Sequence, residues 1–258
     1  MQIALADNAV TEIPLVSAPF EFRRTVAGES AVWVADTVSH TIYKVDPKTS
    51  LVVPTIPADF PVTDYAAGEI GVGEGSVWAI TGSRSDQILR RHASQTGAEQ
   101  ATIPLPSPSA RGEVIDFGSI WIAGTREVEL YRIDPAINQI VGTVELHSRP
   151  VTLTSGEEAV WVREFDGTIQ RIDASNGKLL ATFATDATGG YGDIVMGGGF
   201  VWANSTAVPL VQIDPRTNSQ QSRFEKPPGA IGLGYRMTYA GDSLWLGRTA
   251  IYRIKPPE

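Results

Sequence analysis

Charged residues recur at one place in this sequence, at the start of a short apolar segment that precedes each of its six tryptophans. A carboxylate at that place could act as a general base or bind a divalent cation, since Mg²⁺ and Ca²⁺ prefer oxygen ligands. An arginine could bind the carboxylate of a ligand through two parallel hydrogen bonds. We therefore expect Glu69 and Glu113 to be catalytic residues and, with Asp193, metal ligands. The positions are Arg23, Glu69, Glu113, Pro150 with Arg149 beside it, Asp193 and Arg236.

A second set of polar residues lies mainly in segments of variable length between the repeated ones. Variable segments on a repeated scaffold are where binding residues concentrate. His40 and His147 are candidates for moving a proton, and tyrosine hydroxyls could hydrogen-bond a polar ligand. We expect ligand contacts from the arginines of the first set, Arg149 included, and from five further residues. These are Tyr65, Tyr191, Tyr235, Asp36 and Arg163.

The tryptophans mark a repeat that predicts how these residues are positioned. Their spacings are 45, 43, 40, 41 and 43 residues, a period typical of β-propeller blades. Each period contains four apolar segments, which we name A to D, with turns such as Asp46-Pro47 between C and D. The sequence therefore predicts an all-β, six-bladed β-propeller with four antiparallel strands per blade. The blades are centred on Trp33, Trp78, Trp121, Trp161, Trp202 and Trp245.

The count of segments predicts how the two chain ends are used. Six A, six B and six C segments are present, but only five D segments follow them. Residues 10–19, VTEIPLVSAP, resemble the D segment QATIPLPSPS. We expect residues 10–19 to form the outer strand of the last blade, which would close the ring by main-chain hydrogen bonds and remove free strand edges. Residues 1–258 would then be a single propeller domain.

The A segment of each blade lines the central channel of a propeller, so the charged positions should surround a funnel at one end. Arg23 and Arg236 begin the first and last blades, which adjoin in a closed ring, while Glu69 and Glu113 begin the second and third. We expect a cationic side facing an anionic side, able to hold a small polar or anionic ligand. Alternatively, charges around a wet channel pair with each other and bind nothing.

Composition excludes several classes of function. The net charge of −8 argues against a nucleic-acid partner, which needs a basic face. No apolar run reaches the ~18 residues needed to cross a bilayer, and the absence of cysteine excludes disulfides and thiolate metal sites. The start, MQIALADNAV, lacks the basic and apolar regions of a signal peptide. We expect a soluble monomer with no membrane partner, cytoplasmic or, as a mature chain lacking its signal peptide, secreted or periplasmic.

The repeats AVWVAD…TIYKVDP and AVWVRE…TIQRIDASNGKLLATF resemble those of virginiamycin B lyase-like, or streptogramin lyase-like, six-bladed propellers. They are also similar to the wider NHL and SMP-30 propellers. The resemblance covers essentially the whole chain and implies the propeller fold. Lyases of that family open an antibiotic ring with Mg²⁺, histidine and glutamate on the upper face of the last blades. The matching segments here, GLGYRMTYAGDSLWLGR and GGYGDIVMGGGFVWANS, contain no such histidine, so no catalytic residue is carried across.

Two functions follow from this reading. The first is a metal-assisted lyase or lactone or ester hydrolase, in which Mg²⁺ or Ca²⁺ polarises a carbonyl of a small substrate. The second is a non-catalytic propeller that binds a small ligand or a protein across the same surface. The fold does not choose between them, because propellers host both.

Overall fold

The computed structural model describes residues 2–3, 10–11, 23–60, 68–83, 85–206, 208, 210–225, 236–247 and 251–255. All regular structure in these residues is β-strand, as predicted. No helix in this part of the chain is long and apolar enough to cross a membrane. The chain divides into two compact units, one of Met1–Gly118 with Pro135–Gln139 and the other of Ser119–Asp134 with Ile140–Glu258.

The first unit contains two complete antiparallel sheets and the first strand of a third. The strands of each sheet follow one another in chain order, as hairpins require. A separate pair is formed by β1 (Gln2–Ile3) and β2 (Val10–Thr11). The first sheet contains β3 (Arg23–Gly28), β4 (Ala31–Asp36), β5 (Thr41–Val45) and β6 (Val52–Pro57), the second β7 (Ile70–Gly73), β8 (Ser76–Gly82), β9 (Gln87–Ala93) and β10 (Glu99–Pro104), and the third begins with β11 (Ala110–Asp116).

The second unit holds most of the third sheet and all of the next three. Among the described residues the sixth sheet has three strands, whereas the first five have four. The third sheet continues with β12 (Ser119–Gly124), β13 (Glu129–Asp134) and β14 (Gln139–Glu145), and the fourth contains β15 (Pro150–Gly156), β16 (Ala159–Glu164), β17 (Thr168–Asp173) and β18 (Leu179–Ala184). The fifth sheet contains β19 (Ile194–Gly197), β20 (Phe200–Ala203), β21 (Leu210–Asp214) and β22 (Ser219–Phe224). The sixth contains β23 (Arg236–Ala240), β24 (Ser243–Gly247) and β25 (Ile251–Ile254).

The repeated tryptophans are core residues, as their large apolar rings require. Those of the first five sheets are at most 1% exposed. In the fourth and fifth sheets the indole N–H of Trp161 and Trp202 donates to the carbonyl oxygen of a glycine five residues earlier, at 3.1 and 3.0 Å. These two indoles are therefore buried with their polar groups satisfied, which fixes each ring against strand A of its own sheet.

Glycines let neighbouring sheets approach closely. In the second unit, Met196 of the fifth sheet packs against Gly156 of the fourth, and Tyr239 of the sixth packs against Gly197 of the fifth. A side chain on either glycine would collide with its neighbour, so glycine is required there. Within the two units the A strands pack in succession, β3 on β7 and β7 on β11, then β15 on β19 and β19 on β23.

The predicted use of residues 10–19 is not decided by the described residues. Val10–Thr11 pairs with Gln2–Ile3 in the two-stranded sheet. Residues 12–19 lie outside the described residues. The closing strand of the last blade and the single domain over residues 1–258 therefore remain predictions.

Candidate functional site

Strands β3 and β7 bring a cation and a carboxylate together in the first unit. Arg24 Nη1 donates a hydrogen bond to Glu69 Oε2, and Glu69 is only 5% exposed. Both residues stand nine positions before the tryptophan of their own sheet. Arg24 thus occupies the place that the sequence reading gave to Arg23. The side chain of Arg23 lies outside the described part, so its predicted ligand contact remains a prediction.

Glu113 of β11 is a buried carboxyl in the same unit. It is 8% exposed, and neither of its side-chain oxygens has a hydrogen-bond partner among the described residues. Gly71 leaves space for it, because a Cβ on residue 71 would lie 3.1 Å from Glu113 Cγ. Burial raises the pKa of the Glu113 carboxyl well above its usual range, Arg24 lowers it, and Glu69 raises it further. The net increase in pKa favours the neutral, protonated acid.

Glu113 differs from Glu69 in register. It stands eight residues before its tryptophan, where four other repeats carry an aliphatic side chain or methionine. Successive side chains of a strand point to opposite faces, so a shift of one residue moves a side chain to the other face. Glu113 therefore stands where other repeats bury apolar groups. Those groups are Ile70, Leu153, Ile194 and Met237.

Asp193, at the same register as Glu69, is held by hydrogen bonds in the second unit. Its Oδ1 accepts from Thr152 Oγ1 at 3.1 Å and Ile194 N at 3.0 Å, and its Oδ2 accepts from Met237 N at 2.9 Å. Its own N–H donates to Asn204 Oδ1 at 2.6 Å. The 7% exposed carboxylate thus connects the A strands of the fourth, fifth and sixth sheets. This is a structural role, in which the charge is satisfied by donors.

The described residues do not fit a bound Mg²⁺ or Ca²⁺. Such ions need six or more oxygen ligands, several of them from the protein in a Ca²⁺ site. Glu69 is engaged by Arg24, and both oxygens of Asp193 accept hydrogen bonds. No group of three His, Cys, Asp or Glu side chains in the described ranges could hold a metal ion. A cation at Glu69, Glu113 or Asp193 therefore rests on the sequence alone.

The connections around the fourth sheet carry two exposed aromatic rings. Phe165, directly after β16, is 40% exposed, and Tyr191, shortly before β19, is 43% exposed. The guanidinium of Arg149 lies 4.2 Å from the centroid of the Phe165 ring, where the ring face attracts a cation. His147 Nε2 lies 3.5 Å from Asp166 Oδ2. We call these five residues the fourth-sheet rim.

Buried polar groups hold the backbone beneath the fourth-sheet rim. Phe165 N donates to Arg149 O at 2.9 Å, and Gly189 N donates to Phe165 O at 3.1 Å. Arg163, fully buried, donates from Nη2 to Ala187 O and Gly189 O, both at 2.8 Å. Burial lowers the pKa of Arg163 to about 10, so it remains a cation. Arg163 thus supports the loop, and the sequence reading expected it to contact ligand.

Glu164 is a second buried carboxyl with an unsatisfied oxygen. Its Oε1 accepts from His147 N at 3.2 Å, whereas Oε2 has no partner among the described residues. Burial raises the pKa of Glu164 to about 8, Asp166 raises it as well, and the N–H groups of His147 and Ser148 lower it. Because its side chain is fully buried, it can hold a proton at neutral pH but has no access to a ligand in this structure.

Two further predicted residues of the first unit lie at the end of β4 and in the turn that follows it. Asp36 is 1% exposed, and its Oδ1 accepts from Val38 N at 3.0 Å and Ser39 N at 3.4 Å. This is the turn-forming role of an aspartate, so Asp36 shapes the connection after β4. His40 Nδ1 lies 3.5 Å from Asp59 Oδ1, and both side chains are exposed. The role of His40 in moving a proton remains a prediction.

The remaining predicted residues are placed only in part. Arg236 begins β23 and is exposed. Tyr65 and Tyr235 lie outside the described residues. The funnel with Arg23 and Arg236 on one side therefore remains a prediction. Sequence reasoning missed Arg24, which counting nine residues back from Trp33 would have identified, and it missed Phe165, an aromatic residue in a variable loop.

Comparison with solved structures supports the propeller fold. The chain is similar to BamB from Moraxella catarrhalis, with 16% identity, a TM-score of 0.62 and coverage of 86% of this chain and 68% of that one. It is also similar to the WD40 domain of Pan2 from Neurospora crassa, with 11% identity, a TM-score of 0.68 and coverage of 90% and 75%.

With its six sheets, the chain is a six-bladed β-propeller, as predicted. No family model matches the chain, and no curated protein matches its sequence. At these identities the solved structures inform the fold alone. The resemblance to virginiamycin B lyase-like propellers therefore remains a prediction about family.

Proposed function

We propose that this protein is a non-catalytic propeller that binds a protein partner through the fourth-sheet rim. The observation that carries the proposal is the exposed Phe165 ring with the Arg149 guanidinium stacked on it, 4.2 Å from the centroid. Aromatic residues and arginine contribute most of the binding energy at protein interfaces. Both residues are held through their backbones, so little conformational freedom is lost on binding.

The chemistry of the rim indicates what the partner presents. Phe165 and Tyr191 offer apolar ring surface, and Arg149 offers hydrogen-bond donors beside it. A segment with an apolar side chain next to a carboxylate would satisfy both, because arginine binds carboxylates through two donors. The small anionic ligand expected from the sequence shares this carboxylate chemistry.

Catalysis has less support. The two carboxyls with raised pKa, Glu113 and Glu164, are 8% and 0% exposed. A general acid or base must reach the ligand within hydrogen-bond distance, and neither side chain does so from its buried position. The exposed pair of His147 and Asp166 is 3.5 Å apart and belongs to no group of three metal-ligating side chains among the described residues.

The test is co-purification of partners from extracts of the source cells. Phe165→Ala combined with Arg149→Ala should lose the proteins that the unaltered chain retains. Phe117→Ala is the matched control, because Phe117 is 41% exposed and lies in the turn between the A and B strands of the third sheet. Proteins lost equally with both variants, or with neither, would contradict the proposal.

A further inference from the structure

The first and second sheets meet at a cavity, and the side chains at this junction differ from those at two equivalent junctions. We call each junction between neighbouring sheets a seam. In the second seam, Arg91 lies 4.9 Å from the Trp78 ring centroid and donates from Nη1 to Pro135 O at 2.5 Å and Asn138 Oδ1 at 3.0 Å. Its Nη2 donates to Glu74 O at 3.3 Å. One guanidinium thus joins the tryptophan, its own sheet and the turn of the next.

The fourth seam repeats this arrangement. Arg171 lies 4.9 Å from the Trp161 ring centroid, and its Nη1 donates to Pro215 O at 2.6 Å and Asn218 Oδ1 at 3.4 Å. Its Nη2 donates to Glu157 O at 3.1 Å. The second and fourth seams thus share an arginine on the tryptophan and an asparagine in the facing turn.

The first seam contains neither member of this pair. Lys44 takes the arginine position, 5.1 Å from the Trp33 ring centroid, and its Nζ donates to Ser94 O at 2.7 Å. Gly97 takes the asparagine position and supplies no side chain. Its φ of 73° resembles the 55° of Asn138, so the turn keeps its shape. The backbone is conserved, and the groups that occupy the other two seams are absent.

A cavity of 470 Å³ lies at the first seam, within the size range of small-molecule sites. Trp33, Lys44 and Gly97 line it, with Ser94 from the facing turn. Two carboxylates also line it, those of Glu29 and Asp46. With one lysine against two acids, the lining carries a net negative charge, and the carbonyl that arginine uses elsewhere is present as Ser94 O.

We propose that this cavity binds a guanidinium group, supplied by a small molecule or by an arginine side chain of a peptide. The ligand would provide the planar set of donors that Arg91 and Arg171 supply in their seams. Glu29 and Asp46 would complement its charge, because charge-assisted hydrogen bonds to carboxylates are strong. The site is independent of the fourth-sheet rim and of the function proposed for it.

The test is an NMR titration that follows the indole N–H of Trp33, which donates to Gly28 O at 3.2 Å. Its signal is assigned with Trp33→Phe. The probes are methylguanidinium chloride and the peptide acetyl-Gly-Arg-Gly-amide, at concentrations far below those that unfold proteins. Methylammonium chloride and acetyl-Gly-Lys-Gly-amide are the matched controls. A saturable shift with either guanidinium probe, at least about tenfold tighter than with its control, supports the proposal and identifies the source by which probe binds.

Equal binding of guanidinium and ammonium probes, or no saturable shift, would overturn the proposal. Lys44→Arg with Gly97→Asn should refill the seam and weaken binding at least about tenfold. Gly97→Asn alone serves if the double variant does not fold. The reverse exchange, Arg171→Lys with Asn218→Gly, should create a second saturable site reported by the Trp161 indole. Unchanged binding in the variant with Lys44→Arg and Gly97→Asn would also overturn the proposal. So would the absence of a new site in the variant with Arg171→Lys and Asn218→Gly.

Discussion

Two carboxyl groups on A strands, Asp193 and Glu113, reach opposite physical states. Asp193 accepts three hydrogen bonds from the A strands of three sheets. Glu113 is equally buried, yet both of its oxygens lack partners in the described part of the chain. The comparison teaches that charged residues at neighbouring positions before the tryptophans differ in how their charge is accommodated. Some connect the sheets, and others are buried acids that cost stability.

The largest expected effect is the loss of Asp193. Asp193→Ala removes three hydrogen bonds to a charged acceptor and leaves buried donors unpaired, so we expect a loss of about 3 kcal/mol or more in the free energy of unfolding. Chemical denaturation followed by tryptophan fluorescence measures it. Asp193→Asn, which keeps an acceptor oxygen, should lose less. If Asp193→Ala unfolded at the same denaturant concentration as the unaltered protein, the structural role would be wrong.

A second expected effect concerns pH and extends the comparison to Glu164. Its pKa is about 8 in the folded protein against an ordinary value of 4.5. Between these values the folded state binds more protons than the unfolded state, so stability should fall as pH rises from 4.5 to 8 and then level off. Melting temperatures across this range measure the slope. In Glu164→Gln the fall in melting temperature between pH 4.5 and 8 should be smaller by a few degrees. Identical slopes in both proteins would contradict the prediction.

A smaller effect, of opposite sign to that of Asp193, is expected at Glu113. Glu113→Met replaces a buried acid by the side chain that the sixth repeat carries eight residues before its tryptophan. Removing an unpaired buried polar group without changing side-chain length should stabilise the protein at neutral pH by about 1 kcal/mol. Thermal unfolding measures the gain. A destabilisation as large as that of Asp193→Ala would show that Glu113 has a structural partner.

The repeat made the fold predictable from the sequence. One tryptophan per period, with apolar alternation around it, predicted six sheets because strand burial depends on local pattern. The candidate site was less predictable. The prediction treated Arg23 and Glu113 as equivalent in position to Glu69, whereas counting back from the tryptophans gives Arg24 and puts Glu113 one residue later. In a strand, a shift of one residue moves a side chain to the other face of the sheet.

Burial in loops could not be predicted either. Arg163 and Glu164 end β16 as a charged pair that looks exposed in the sequence. Arg163 donates to the carbonyls of Ala187 and Gly189 at 2.8 Å, and Glu164 accepts from His147 N at 3.2 Å. Burial raises the pKa of Glu164, whereas the next residue, Phe165, is exposed. Such packing depends on contacts between segments distant in sequence, which local patterns do not encode.

The most direct test of the central claim is photo-crosslinking in the source cells. The photoreactive residue p-benzoylphenylalanine would replace Phe165 in one variant and the similarly exposed Phe117 in the other. The account predicts a covalent adduct with a protein partner from position 165 and none from position 117. An adduct from position 117 alone, or from neither position, would contradict binding through the fourth-sheet rim.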